Sequence, residues 1–205
     1  MNAKRLSVLL LLLLPALCAQ AQWRSVHATQ TTTETITKPD GSVLSNRTTS
    51  EYTRSASGSE LTVTTMRTPD GLVTKRIAKL YDADAPAQYS LDYAAKTAYL
   101  IVRMPAPKPF ETNRIARYPG LQQGTYAGID CVLVPAMMEG KRIGTVWVDG
   151  KDSLELKSDI TFPGSHTVTE LSNITMDYKY DPTIFRIPAG FTVDTSTSRT
   201  LPVQK

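Results

Sequence analysis

Few side chains in this sequence could carry covalent or acid–base chemistry. The chain has two histidines, His27 and His166, and two cysteines, Cys18 and Cys131. A cysteine beside a histidine is a common nucleophile, so Cys131 with His166 is the pair to weigh. Cys131 lies in the apolar run DCVLV, which favours a buried, inert thiol, and His166 lies in the turn PGSH with no third group to orient it. We therefore predict no catalytic residue and no enzyme; an enzyme that uses this pair is the weaker alternative.

Metal, cofactor and nucleic-acid sites also lack a sequence signature. The chain has no Cys-x-x-Cys and no His-x-x-x-His spacing, and the acidic run DADAP lacks the rest of a calcium loop. No glycine-rich phosphate loop follows a strand and opens a helix. The basic residues are scattered and not interleaved with aromatic ones. We expect no metal, no cofactor and no nucleic-acid partner.

The N-terminus has the pattern of a secretory signal peptide over residues 1–21. Lys4 and Arg5 precede an apolar run over residues 6–17, and Ala19-Gln20-Ala21 supplies the small residues of a cleavage site. The run is shorter than the roughly 20 apolar residues that span a bilayer. We predict cleavage after Ala21, a periplasmic or secreted protein, and no membrane span after cleavage. A retained anchor is one alternative, and lipidation of Cys18 is another, although Leu17 is a poor residue for the position before a lipidated cysteine.

The remaining chain of about 184 residues suits one domain, predicted over 22–193, with a polar tail over 194–205. Without Lys4 and Arg5 the chain has 21 basic and 19 acidic residues, so its net charge is +2. Cys131 is then the one cysteine left, and it has no partner for an internal disulfide. The fold must be held by its core and its strand pairing.

Turn signals at short intervals predict an antiparallel meander. KPDGS and TPDG each supply a Pro-Asp-Gly turn between strand-like runs, and MMEGKR, GKDS and PGSH divide the second half in the same way. The alternation slips near Leu171-Ser172, which predicts a β-bulge. Residues 22–30 look polar and frayed, and prolines at 105, 107 and 109 indicate a crossing or flap over 104–123. The fold class predicted is mainly β with little helix: a curved antiparallel sheet forming an open, unclosed β-barrel.

Apolar side chains alternate with polar ones along the second half, most clearly in LELKSDITF. Such a face either fills the core or binds an apolar ligand, and leaving it bare in water is unfavourable. The residues predicted to bind ligand are Trp147, Leu154, Leu156, Ile160, Phe162 and Met176. The alternative is that they are core.

Residues 124–193 resemble the lipoprotein-localisation factor superfamily, in its uncharacterised secreted bacterial branch. The resemblance is carried by GTYAGIDCVLV, by VWVD before LELKSDITF, and by NITMDY before DPTIFRIPAGF. It implies an unclosed barrel that binds a lipid acyl chain or another apolar ligand on its concave face, without catalysis. The alternative function is an envelope structural or interaction module that docks a protein partner by its sheet face or edge.

Overall fold

The computed structural model describes residues 23–68, 70–103, 120–196 and 199–200. The predicted signal peptide, Cys18, most of the predicted crossing and the end of the predicted tail lie outside these ranges. The described residues form thirteen strands: β1 (Val26–Thr37), β2 (Val43–Arg54), β3 (Glu60–Arg67), β4 (Val73–Asp82), β5 (Ala87–Asp92), β6 (Thr97–Arg103), β7 (Gln122–Tyr126), β8 (Ile129–Met138), β9 (Lys141–Asp149), β10 (Glu155–Phe162), β11 (Ser165–Met176), β12 (Thr192–Asp194) and β13 (Arg199–Thr200). One 3-10 helix spans Pro182–Phe185.

The turns fold as their residue types dictate. In the β1–β2 turn, Gly41 has a φ of +80°, and the Asp40 carboxylate accepts a 2.9 Å hydrogen bond from the Ser42 N–H. Gly71 takes the equivalent conformation, with a φ of +89°, in the β3–β4 turn. Glycine adopts these angles without a side-chain clash, and a short acidic side chain satisfies the turn backbone. The predicted Pro-Asp-Gly hairpins are therefore confirmed.

All thirteen strands belong to one open sheet. The order across it is β12-β6-β5-β4-β3-β2-β1-β11-β10-β9-β8-β7, with β13 also paired to β6. The pairings are antiparallel except those of β12 and β13 with β6, which are parallel. Within the described ranges no pairing joins β7 to β12 or β13, so the curved sheet does not close. The predicted fold class is confirmed.

Strand β1 occupies the middle of this sheet. It pairs along its length with β2 on one side and with β11 on the other. The β1–β11 register shifts between His27 and Thr29, opposite Thr175 and Ser172, which confirms the predicted bulge. The interpretation of residues 22–30 as frayed is wrong from Val26 onward. Val26 pairs with Arg54 on β2 and Met176 on β11, and its side chain is completely buried among other apolar side chains.

The register separates two faces of the sheet. Gln30, Thr32, Ser50, Thr62 and Thr64 share one face, because Gln30 is opposite Ser50 and Thr64 pairs with Ser50. We call this the cavity face, for the cavities described below. His27, Leu61, Val63, Leu80 and Leu91 lie on the opposite face.

Two apolar clusters hold the sheet together. The first is built on the side chains of Val26, Ala28, Tyr52, Cys131, Leu154, Leu156 and Leu171. The second is built on Leu61, Val63, Ala78, Leu80, Leu91, Ala98 and Phe185. The 3-10 helix contributes Phe185, whose ring meets Tyr180 edge-on at 5.2 Å. The segment after β11 thus covers the opposite face of β3 to β6.

No helix among the described residues has the length and apolar character that crossing a bilayer requires.

Candidate ligand-binding face

Two cavities lie side by side on the cavity face. The first has a volume of about 360 Å³ and is lined from β1, β2, β3, β10 and β11 and by Trp23. The second has a volume of about 280 Å³ and is lined from β1 to β5. Gln30 and Thr62 line both, so the two cavities adjoin each other along the sheet. The volume of the first lies in the range usual for small-molecule sites.

A buried arginine lines the first cavity. Arg54 is 1% exposed, ends β2, and lies 3.1 Å from the Asp152 carboxylate. It also donates to the backbone carbonyls of Asp152 and Arg24 at 3.3 Å, and its guanidinium lies 4.7 Å from the centre of the Trp23 ring. Among the described residues, its Nε–H has no hydrogen-bond partner. A donor buried without a partner is costly, and a ligand acceptor would remove that cost.

Two further buried polar atoms on this face have no hydrogen-bond partner within the part of the chain that the structure describes. One is the Oε1 atom of Gln30, which lies between the two cavities, and the other is the hydroxyl of Tyr81, on β4 opposite Glu60. Buried polar groups in folded proteins are almost always satisfied. The first cavity therefore has an unsatisfied donor from Arg54 and an unsatisfied acceptor from Gln30 in its walls.

The acidic residues that line the first cavity are Glu60 and the exposed Glu155. The Tyr52 hydroxyl donates to the Glu60 carboxylate at 3.0 Å. Burial raises the pKa of Glu60 above its ordinary value, and the hydrogen bond from Tyr52 opposes that shift in part. Burial, together with the nearby Glu60 charge, raises the pKa of Tyr52 well above its ordinary value. Burial therefore shifts the pKa of each group in the direction of its neutral form.

The wall of the second cavity is rich in threonine and serine and also contains Lys79. Hydroxyls in this wall pair with one another or with Thr169 of the first cavity. Ser50 Oγ lies 2.8 Å from Thr64 Oγ1, and Thr32 Oγ1 lies 3.2 Å from Thr169 Oγ1. A hydroxyl that is already bonded does not need a partner from the ligand. The threonine methyl groups, with Ile77 and Ala78, can then serve as aliphatic contact surface.

The six residues predicted from the sequence to bind ligand are only partly brought together. Leu156 lines the first cavity, and it is also a fully buried member of the first cluster, as is Leu154. Trp147 and Met176 pack against that cluster from partly buried positions. Ile160 is half-buried, and Phe162, at the end of β10, is 39% exposed; neither belongs to the cluster. Five of the six are thus not among the residues that line the cavity.

Trp147 lies on the opposite face of the sheet. It is paired with Lys157, whose ammonium group lies 5.4 Å from the centre of the Trp147 ring and donates to Glu170 at 2.7 Å. The adjacent residues Val146 and Ser158 point to the cavity face, because side chains alternate along a strand. Trp147 does not line either cavity, but its cation–π partner Lys157 lines the first.

The Cys131–His166 pair is not assembled. Cys131 is 1% exposed in the first cluster, and burial raises the pKa of its thiol, which disfavours the reactive thiolate. His166 instead has its Nε2 atom 2.8 Å from the Asp159 carboxylate. The other histidine, His27, stacks on Tyr178 with ring centres 4.7 Å apart. The prediction that Cys131 is a buried thiol is confirmed.

Sequence reasoning missed Arg54, Gln30 and Glu60. Each is a polar residue at an alternate position of a strand, whereas the predicted site was based on apolar stripes. The sequence does contain a signal for a polar site. Polar residues stand at alternate strand positions on the face that also carries apolar ones: Gln30, Thr32, Ser50 and Thr62 beside Val26, Ala28 and Tyr52. Within the described residues, no cluster of three or more His, Cys, Asp and Glu side chains is arranged to hold a metal ion.

Comparison with known proteins gives likenesses of fold at low identity. No family model matches the chain, and no curated protein matches its sequence. Similar solved structures include PNGF-II, with 10% identity and a TM-score of 0.49, covering 87% of this chain and 32% of that one. An uncharacterized conserved protein from Thermus thermophilus has 7% identity and a TM-score of 0.48, covering 85% of this chain and 90% of that one. A LolA superfamily protein from Nitrosomonas europaea has 8% identity and a TM-score of 0.38, covering 79% of this chain and 90% of that one.

The lipoprotein-localisation resemblance expected from the sequence is thus found again among structural neighbours, at low TM-score and identity. The chain spans about a third of the length of PNGF-II. These scores carry no statement about what the chain binds.

Proposed function

We propose that the protein is a non-catalytic binding protein that holds an amphiphilic ligand, such as a lipid acyl chain with a polar end, on its cavity face. The observation that carries the proposal is the 360 Å³ cavity in which Arg54 Nε and Gln30 Oε1 are buried without partners. A polar group that accepts from Arg54 and donates to Gln30 would satisfy both atoms.

The two cavities differ in chemistry, so each would bind a different part of the ligand. The first takes the polar end, because it contains Arg54, Gln30 and Glu60. The second takes hydrocarbon against threonine methyl groups and Ile77, since several of its hydroxyls already bond one another. Sites for small ligands commonly combine apolar walls with a few placed polar groups. The sequence predicted an apolar ligand, whereas these cavities favour an amphiphile.

The compartment is part of the same proposal. The N-terminal pattern of residues 1–21 indicates export, which would give a periplasmic or secreted protein of the bacterial envelope. Mass spectrometry of the protein purified from the envelope tests this, because cleavage after Ala21 predicts a chain that begins at Gln22.

The first experiment is native mass spectrometry of the processed protein, with lipid extraction of the same sample. The expected result is one co-purifying amphiphile per chain. Gln30→Leu, which removes the unpaired acceptor at nearly constant size, and Thr62→Tyr, which fills the junction of the two cavities, should each lower its retention roughly tenfold, the change expected when about 1.4 kcal/mol of binding is lost.

Matched controls lie on the opposite face of the same strands. Thr33→Val on β1 and Thr65→Tyr on β3 should leave retention unchanged, because neither residue lines the cavities. A clean apo mass that takes up neither added fatty acid nor phospholipid would contradict the proposal and favour the interaction module.

Trp147→Ala in the same assay tests the apolar residues proposed from the sequence. Weakened retention would extend the site to the opposite face around Trp147. Unchanged retention would confine the site to the cavity face.

A further inference from the structure

The exposed apolar side chains of this protein are concentrated at one end of the sheet. The turns of four hairpins lie there, because Ile36 pairs with both Leu44 and Ser165, and Phe162 pairs with Ser165. The β3–β4 and β8–β9 hairpins turn at the same end. We call residues 36–44, 66–68, 70–75, 137–142 and 162–165 the hairpin rim.

Nine of the eleven large hydrophobic residues that are exposed among the described residues lie on the hairpin rim: Ile36, Val43, Leu44, Met66, Leu72, Val73, Met137, Met138 and Phe162. The two elsewhere are Ile101 and Val193, on β6 and β12. Exposed apolar residues scattered singly need no explanation, whereas a concentration of them marks an interaction surface. The rim is therefore a surface for contact with something apolar.

The charge of the hairpin rim is positive. The rim contains five basic residues and three acidic ones: Lys38, Arg67, Lys75, Lys141 and Arg142, and Asp40, Asp70 and Glu139. Two of the acids are engaged in their own turns, Asp40 with Ser42 and Asp70 with Thr68, which lowers the pKa of each carboxyl. Arg67 and Arg142 are held at the rim by hydrogen bonds to the carbonyls of Gly71 and Gly144.

We propose that the hairpin rim docks on an anionic phospholipid surface, with its apolar tips among the acyl chains and its basic residues at the headgroups. Surface attachment of this kind strengthens with buried apolar area and with attraction to anionic lipid. A protein partner would need a continuous, closely packed apolar patch, whereas the rim presents separate tips divided by polar turns. A bilayer adapts to separate tips, so it fits this surface better.

The geometry also places the cavity face beside the lipid. Leu44, Ile36 and Phe162 form a row with Ser165 across β2, β1, β11 and β10, on the same face as Gln30 and Thr32. The second cavity lies between this row and Arg54. The docking inference does not depend on a ligand in the cavities, and either one can fail without the other.

The test is flotation of the processed protein with vesicles of equal parts phosphatidylglycerol and phosphatidylcholine, and with vesicles of phosphatidylcholine alone. Binding is expected to the anionic vesicles and to fall with added salt. Val43→Ser, Leu72→Ser and Met137→Ser combined remove three tips that are 63%, 66% and 56% exposed. This variant should lose at least roughly tenfold in binding, and so should Lys38→Gln with Lys141→Gln.

Matched controls carry the same changes elsewhere on the surface. Ile101→Ser with Val193→Ser removes exposed apolar side chains from the far edge of the sheet, and Lys96→Gln with Lys151→Gln removes exposed charge. Both should bind anionic vesicles like the parent. No vesicle binding by the parent protein, or equal losses in rim and control variants, would overturn the proposal. Self-association that the rim variants abolish, without vesicle binding, would overturn it in favour of a second copy of this chain.

Discussion

At the scale of single residues, ionisation of the Glu60 carboxyl on the cavity face makes the stability of the protein depend on pH. Burial raises the pKa of its carboxyl, so the folded state holds the proton more tightly than the unfolded state does. Between the unfolded and folded pKa values the folded state binds more protons, so stability falls as pH rises through this window. Below the unfolded pKa the group makes no difference, because both states are protonated.

Glu60→Gln should therefore stabilise the protein near neutral pH and have little effect at about pH 4. The amide resembles the neutral carboxylic acid, and its oxygen can still accept the hydrogen bond from Tyr52. Urea denaturation of variant and parent over this pH range measures the difference in the free energy of unfolding. The exposed Glu51, next to Tyr52 on the other face of β2, gives the control Glu51→Gln, which removes a carboxylate that is not buried and should not stabilise the protein near neutral pH. A Glu60→Gln variant destabilised near neutral pH would contradict the assignment.

Residue properties were predictable from the sequence where they depend on local pattern. Cys131 was predicted to be buried because it stands in an apolar strand, and it is. The unpaired Nε of Arg54 could not be predicted, because it depends on which groups β2, Trp23 and the turn around Asp152 bring to the guanidinium. These neighbours are distant in sequence, and only the fold brings them together.

At the scale of elements, Gly144 permits the close pairing of β9 with β10. A Cβ atom at this position would meet the backbone carbonyl of Asp159 and lie 2.9 Å from the Cα atom of Ile160. Backbone atoms cannot move aside as a side chain can, so Gly144→Ala should cost at least about 1–3 kcal/mol of stability. Chemical denaturation measures the loss.

The matched control is Gly124→Ala on β7. A Cβ atom there would approach the Cδ1 atom of Leu133 at 2.8 Å, which is the flexible end of a side chain. This substitution should change the free energy of unfolding by less than about 1 kcal/mol, since overpacking is tolerated where neighbours can repack. Equal losses at the two glycines would contradict the close approach of β9 and β10.

Elements set by turn chemistry were predicted well, and long-range pairing was not. Pro-Asp-Gly turns located the hairpins, and a slip in alternation located the bulge in β11. The start of β1 was missed because the residues before Gln30 look polar, although Val26 and Ala28 are buried. Their burial depends on Cys131, Leu156 and Leu171 of the first cluster, which lie more than a hundred residues later in the chain. No local pattern contains that information.

At the scale of the whole molecule, β1 joins the two halves of the sheet. Strands β2 to β6 follow it in sequence on one side, and β7 to β11 pair in reverse order on the other. The first of the described strands is therefore the central one, and its pairings with β2 and β11 join the two halves of the strand ladder. The Arg54–Asp152 ion pair, the first apolar cluster and the pairing of β12 with β6 add further contacts between early and late residues. Stability of the C-terminal half should depend on an N-terminal segment.

Thr31→Pro in the middle of β1 tests this dependence. Thr31 lies opposite Thr49 on β2 and Glu170 on β11, and proline removes an N–H from the ladder and does not fit the interior of a sheet. A group left buried without its hydrogen bond costs about 1–3 kcal/mol, and steric disruption adds to this. Hydrogen exchange should show lost protection in β10 and β11 as well as in β2 and β3. Thr125→Pro on β7, which among the described strands pairs with β8 alone, should lower protection in β7 and β8 and leave β1 to β3 protected. If Thr31→Pro leaves β10 and β11 protected, the halves are independently stable and β1 is not their common support.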